Sequence, residues 1–131
     1  MVLCDTNIIS ELARPRPDAG LLRWAKEHTA IHLSAVTVEE LHFGLAWKPN
    51  PRIDFWLDHF LRNFCNILPA SEKIASFAGD LRGHFQARGE TRTQADMLIA
   101  ATACVHGLTL VTRNTRDFEA CGVELINPFS A

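Results

Sequence analysis

Met1-Val2-Leu3-Cys4-Asp5-Thr6-Asn7-Ile8-Ile9 opens the chain, and its reading decides the fold. Residues 1–4 are a short apolar run of the kind that forms a strand buried on both faces. Asp5 follows with no residue to spare, and Ile8, Ile9 and Leu12 then recur at helical spacing. A strand that passes directly into a helix is the first half of a βαβ unit, and it leaves the Asp5 carboxylate at the carboxyl end of the strand.

The same handover recurs downstream. Strand-like runs are expected at 31–34, 66–68, 108–111 and 123–126. Between them, helices are expected from Asp18, from Thr37 to the Lys48-Pro49-Asn50-Pro51 cluster, and over 52–64. Further helices are expected from Ser71 to Arg88, from Thr93 to His106 with Gly107 as the stop, and over 115–120. Alternation of this kind predicts an α/β fold with a mostly parallel sheet covered on both faces. No linker, repeat or low-complexity tract interrupts residues 1–131, which predicts one domain.

Composition narrows the function. The four cysteines are widely spaced, which disfavours disulfide staples and a thiolate zinc site and fits a reducing cytoplasm. Asp5 comes too early for a secretory signal, and no apolar run approaches the ~20 residues of a membrane span. A net charge of −2 does not suggest a surface coated with cations for nucleic-acid binding. The cations are lopsided, however: arginines outnumber lysines ten to three. Arg92, Arg113 and Arg116 flank two acids, where their forked donors would suit phosphate.

Four acids stand where strands hand over to helices or in the following turn: Asp5, Glu40, Asp96 and Asp117. Each of the last three also has a capping explanation. Thr37-Val38-Glu39-Glu40 is a capping-box pattern, and Thr93…Asp96 and Asn114…Asp117 share its spacing. Repetition favours convergence at one sheet end. Two carboxylates about 4–5 Å apart repel by about 3–4 kcal/mol at an effective dielectric of about 20, so convergence implies raised pKa values or a bound cation. An all-oxygen donor set selects Mg2+ or Mn2+ over zinc, and the six histidines show no matching ligand spacing.

The segments Val2-Leu3-Cys4-Asp5-Thr6-Asn7, Ser34-Ala35-Val36-Thr37-Val38-Glu39-Glu40-Leu41, Ala95-Asp96-Met97-Leu98-Ile99-Ala100-Ala101 and Val111-Thr112-Arg113-Asn114-Thr115-Arg116-Asp117-Phe118 resemble PIN-domain ribonucleases. The nearest likeness is to the VapC/FitB-type toxins of bacterial toxin–antitoxin pairs, and Asn127-Pro128-Phe129 looks like the end of that type. The resemblance implies a three-layer α/β/α sandwich. It implies that Asp5, Glu40, Asp96 and Asp117 chelate Mg2+ or Mn2+ and cleave RNA, with Thr6, Thr112 and Asn114 in support. It further implies a homodimer and a cognate antitoxin, often with a ribbon-helix-helix DNA-binding part.

Two rivals follow from the same residues. Asp5 could be the nucleophile of a phosphatase, but such enzymes place a second Asp where this chain has Asn7 and use a late lysine, whereas the last lysine here is Lys73. A non-catalytic metal-binding interaction module is the other. Among the aromatics, Trp47, Trp56, Phe60 and Phe64 read as core, and Phe55, off the main stripe, reads as facing a partner.

Overall fold

In a computed structural model that describes residues 1–131, five parallel strands form one sheet in the order β3-β2-β1-β4-β5. The strands are β1 (Val2–Cys4), β2 (Ile31–Ser34), β3 (Cys65–Leu68), β4 (Thr109–Val111) and β5 (Leu125–Ile126). The helices are α1 (Thr6–Leu12), α2 (Ala19–Lys26), α3 (Ala35–Trp47), α4 (Pro51–Phe64), α5 (Glu72–Ala87) and α6 (Gln94–His106), with a 3-10 turn at Thr115–Phe118. The α/β expectation therefore holds.

Alternation along the strands divides two cores, because successive side chains point to opposite faces of a sheet. Leu3 and Leu110 join Ile74, Phe85, Met97 and Ile99 beneath α5 and α6. Val2, Cys4 and Val111 join Ile8, Leu21 and Leu57 beneath α1, α2 and α4. These are the two outer layers of a sandwich. Full burial of one such Leu, Ile or Phe contributes about 1.5–3 kcal/mol, so the central strands β1 and β4 are fixed from both sides despite their shortness. Gly107 ends α6 in the left-handed conformation, φ 64°, where a side chain would be strained.

The strand order places the site. After β1 the chain winds outward to β2 and β3, then returns to lay β4 on the other side of β1. The carboxyl ends of β1 and β4 therefore flank the point where the winding reverses, the crevice in which open α/β sheets bind ligands. Register pairs Cys4 with Val111, so Asp5 and Thr112 leave the sheet side by side.

Two local expectations need correction. The third helix begins at Ala35, not Thr37: Ser34, the last residue of β2, caps it by accepting from the Val36 N–H. Trp47, 68% exposed, and Phe64, 43% exposed, lie outside the core rather than in it, each being the last residue of its helix, α3 and α4. Phe55 is exposed as expected, at 82%.

Candidate active site

Asp5 is 5% exposed, yet no basic side chain pairs with it. Its Oδ1 accepts from the Thr6 N–H at 2.7 Å, and its Oδ2 from Thr112 Oγ1 at 2.8 Å and Asn7 Nδ2 at 3.1 Å. Burial raises the Asp5 pKa, these hydrogen bonds oppose the rise, and the nearby Asp117 charge adds to it. Oδ1 takes one hydrogen bond only, so acceptor capacity remains on that oxygen.

The supporting bonds come from distant parts of the chain. Thr112 is fully buried at the end of β4 and also accepts from the Asn114 N–H at 3.0 Å. Asn7 donates to Thr112 at 3.3 Å and accepts from the Arg113 N–H at 3.2 Å, tying the first turn of α1 to the loop after β4. Thr6 donates from Oγ1 to Glu40 Oε1 at 2.6 Å and lies 3.1 Å from Thr37 Oγ1. Asn7 and Thr37 escaped the sequence reading. The signal for Asn7 is its place in the polar pair that follows Asp5; Thr37 has only its capping-box pattern, which points elsewhere.

With Ser34 as cap, Glu40 lies in the second turn of α3, beyond the capping position. Its carboxylate engages Thr6 instead. Glu39, one residue earlier, is exposed, as the 100° step of a helix demands. Asp96 does occupy the third position of α6, where its N–H is capped by Thr93 Oγ1 at 3.1 Å. Its carboxyl is pushed up to about 6, first by burial and then by Asp5, with Thr93 opposing and Asp117 and Glu40 adding. Asn114 makes no side-chain cap to the 3-10 turn that carries Asp117.

Asp5, Glu40 and Asp96 line one open cavity of about 500 Å3 with Thr6, Asn7, Asn114 and Arg113. Asp117 does not line it; it is exposed on the adjoining turn and acts on Asp5 and Asp96 through its charge. No histidine borders the cavity. As placed, no three His, Cys, Asp or Glu side chains are close enough to hold an ion. The donor chemistry nonetheless fits a hard cation: carboxylate oxygens only, two with raised pKa values, and none of the four acids among the chain's three ion pairs.

The arginines divide. Arg113 lines the cavity, and Arg116 is exposed on the turn beyond it. Arg92, expected to touch phosphate, is committed elsewhere. It donates to the carbonyls of Asp117 at 3.0 Å and Glu119 at 3.1 Å, bridges to Glu90 at 3.3 Å, and lies 3.9 Å over the Phe85 ring. Its guanidinium fastens the Asp117 turn to the end of α5, because that turn offers unpaired carbonyls beside an aromatic face.

Residues 2–123 match the PIN domain family. The chain is 36% identical to the VapC ribonuclease Y4jK of Sinorhizobium fredii over 98% of each chain. It is likewise 36% identical to toxin FitB of Neisseria gonorrhoeae, over 98% of this chain and 99% of that one. Among solved structures, it resembles FitAcB from Neisseria gonorrhoeae with a TM-score of 0.82 and 35% identity, covering 98% of both chains. It resembles FitAB bound to the IR36 DNA fragment with a TM-score of 0.83 and 33% identity, covering 100% of this chain and 97% of that one. The buried acid at the sheet's switch point, its acidic neighbours and these likenesses agree: the chain belongs to the PIN-domain family, among relatives of the VapC and FitB kind.

Proposed function

We propose that the chain is the ribonuclease toxin of a toxin–antitoxin pair, hydrolysing RNA phosphodiester bonds with the help of Mg2+ or Mn2+. The observation that carries this reading is the Asp5 carboxylate. It is buried with no basic side chain paired to it and is held by three donors, and its pKa is raised first by burial and further by the Asp117 charge. Burying a charge in that way is costly, and a cation would offset the cost. The names of the VapC and FitB relatives support the same activity.

Asp5 and Asp96 would be the principal ligands, with Glu40 and Asp117 completing the set. Their side chains would have to draw closer than they stand, since no three of them now share a position. The cation supplies Lewis acidity toward water and the phosphate when bound. The chain's own part is orientation: Thr112 and Asn7 hold Asp5, and Thr6 holds Glu40 at its Oε1. Glu40 or Asp117 would position the attacking water and accept its proton on a carboxylate oxygen. Arg113 would offset the charge of a flanking phosphate at the cavity wall.

The partner would be a cognate antitoxin, as the solved relatives are complexes of that type, and some of them hold DNA. A homodimer is the proposed assembly. The exposed Phe43, Trp47 and Phe55 are apolar surface for such contacts. No helix is long and apolar enough to cross a membrane. The test is incubation of the purified chain with structured RNAs, with and without Mg2+ or Mn2+. Cleavage that appears with the cation and disappears with chelator is expected; cleavage indifferent to both contradicts the proposal. Sedimentation as a concentration-independent monomer would contradict the dimer.

A further inference from the structure

One wall of the acidic cavity is built from the far end of the chain. Phe129 lines the cavity beside Arg113, whose guanidinium carbon lies 4.8 Å over the centre of the Phe129 ring. Arg113 is exposed, and its guanidinium enters none of the chain's ion pairs. Unlike Arg92 it is not consumed by the fold.

The tail is fastened on both sides of Phe129. On the near side, Asn127 Oδ1 accepts from the Phe129 N–H at 3.0 Å, and Asn127 Nδ2 donates to the Arg113 carbonyl at 3.5 Å. On the far side, the Ser130 N–H donates to both carboxylate oxygens of Asp18 at 2.9 Å, and Ser130 Oγ accepts from the Gly20 N–H at 2.9 Å. A Cβ on Gly20 would meet Ser130 N and Oγ at 2.8 Å and the Pro128 carbonyl at 2.9 Å. The start of α2 can therefore receive this hook only where it has no side chain.

A free guanidinium laid against an aromatic ring offers two things to a nucleic acid: a positive charge and a flat surface on which a base can stack. An open cavity lined by acids repels a phosphodiester; of the two arginines that line it, Arg14 is paired with Glu11 at 3.2 Å, so the unpaired Arg113 decides where the strand can enter. Resting on the ribonuclease reading above, we propose that Phe129 and the hook of residues 127–130 form a substrate-positioning element. They hold Arg113 so that a nucleobase next to the cleaved phosphodiester of single-stranded RNA stacks on its guanidinium. Arg113 binds, and Phe129, Asn127 and Ser130 act through it.

Three variants test this on a short single-stranded RNA with saturating cation, each checked for folding by its melting curve. Arg113→Lys keeps the charge and loses the plane. Phe129→Leu keeps apolar packing and loses the ring. Gly20→Ala pushes the hook away without replacing any residue that lines the cavity. Each should raise KM by about fivefold or more, the low end of a base-stacking contribution, while kcat stays within about twofold. Phe129→Tyr should restore KM. In metal-free protein the same three should weaken RNA binding by a similar factor.

A wild-type KM in folded Arg113→Lys and Gly20→Ala would overturn the proposal, and so would a fall in kcat with KM unchanged. Should Phe129→Leu fail to fold, the exposed Arg113→Lys still decides. If wild-type protein cleaves RNA and these variants match it, only the positioning element falls. If wild-type protein cleaves no RNA, both readings fall together.

Discussion

Thr112 Oγ1 donates to Asp5 Oδ2 over 2.8 Å, joining residues 107 positions apart in a buried hydrogen bond. The bond exists because β1 and β4 are neighbours in register, with Cys4 opposite Val111. It fixes the orientation of this buried acid and opposes the rise that burial gives its pKa.

Thr112→Val keeps shape and removes three hydrogen bonds, to Asp5, Asn7 and Asn114. Cation-dependent RNA cleavage should fall about tenfold or more, as for other residues that orient a metal ligand. Stability should drop by about 1–3 kcal/mol for the groups left unpaired. Initial rates and a denaturation curve check both; an unchanged rate would show that Asp5 needs no such support.

Asp96 gives a pH dependence with a definite sign. Its folded pKa of about 6 lies above the ordinary 3.8, so the native state holds its proton more tightly than the unfolded chain. The contribution to stability is thus present below pH 3.8 and lost as pH rises toward and past 6. The raised Asp5 pKa acts in the same direction. Metal-free protein should lose melting temperature between pH 4 and about 6.5, and Asp96→Asn should flatten that slope. A slope identical in the variant would show that Asp96 does not carry it.

Arg92→Ala should destabilise the chain by about 2 kcal/mol or more, since it removes charge-assisted bonds to two carbonyls and a ring contact. Arg92→Lys should recover only part, lacking the fork. Thermal denaturation distinguishes these outcomes. Equal melting temperatures for wild type and Arg92→Ala would show that the Asp117 turn is held by other contacts.

Much of this arrangement was legible in residue order. Short strands alternating with helices are enough to specify a parallel sheet with acids at one end, and Asp5, directly after the first strand, marks the site. Three other features were not legible, because they depend on pairs far apart in the chain. Thr37 was read as a cap, but it is buried against Thr6, 31 residues away, while Ser34 caps instead. Arg92 stands near the acids in sequence with a fork suited to phosphate, yet its partners are carbonyls 25 and 27 residues on. The same holds for Phe129, whose role depends on Arg113 and on a glycine at position 20. Local spacing names residue types suited to a job; only the sheet order shows which of them meet.

The most direct test of the proposed activity is Asp5→Asn, measured as RNA cleavage across a Mg2+ or Mn2+ titration beside wild type. The substitution removes one buried charge and keeps the side chain's size, so the melting temperature should stay within a few degrees of wild type. Cleavage should fall to background at every cation concentration, and the cation should no longer raise the melting temperature as binding to the native state requires. Full cleavage by the folded variant, with the same dependence on the cation as wild type, would contradict the assignment of Asp5 as the centre of the site.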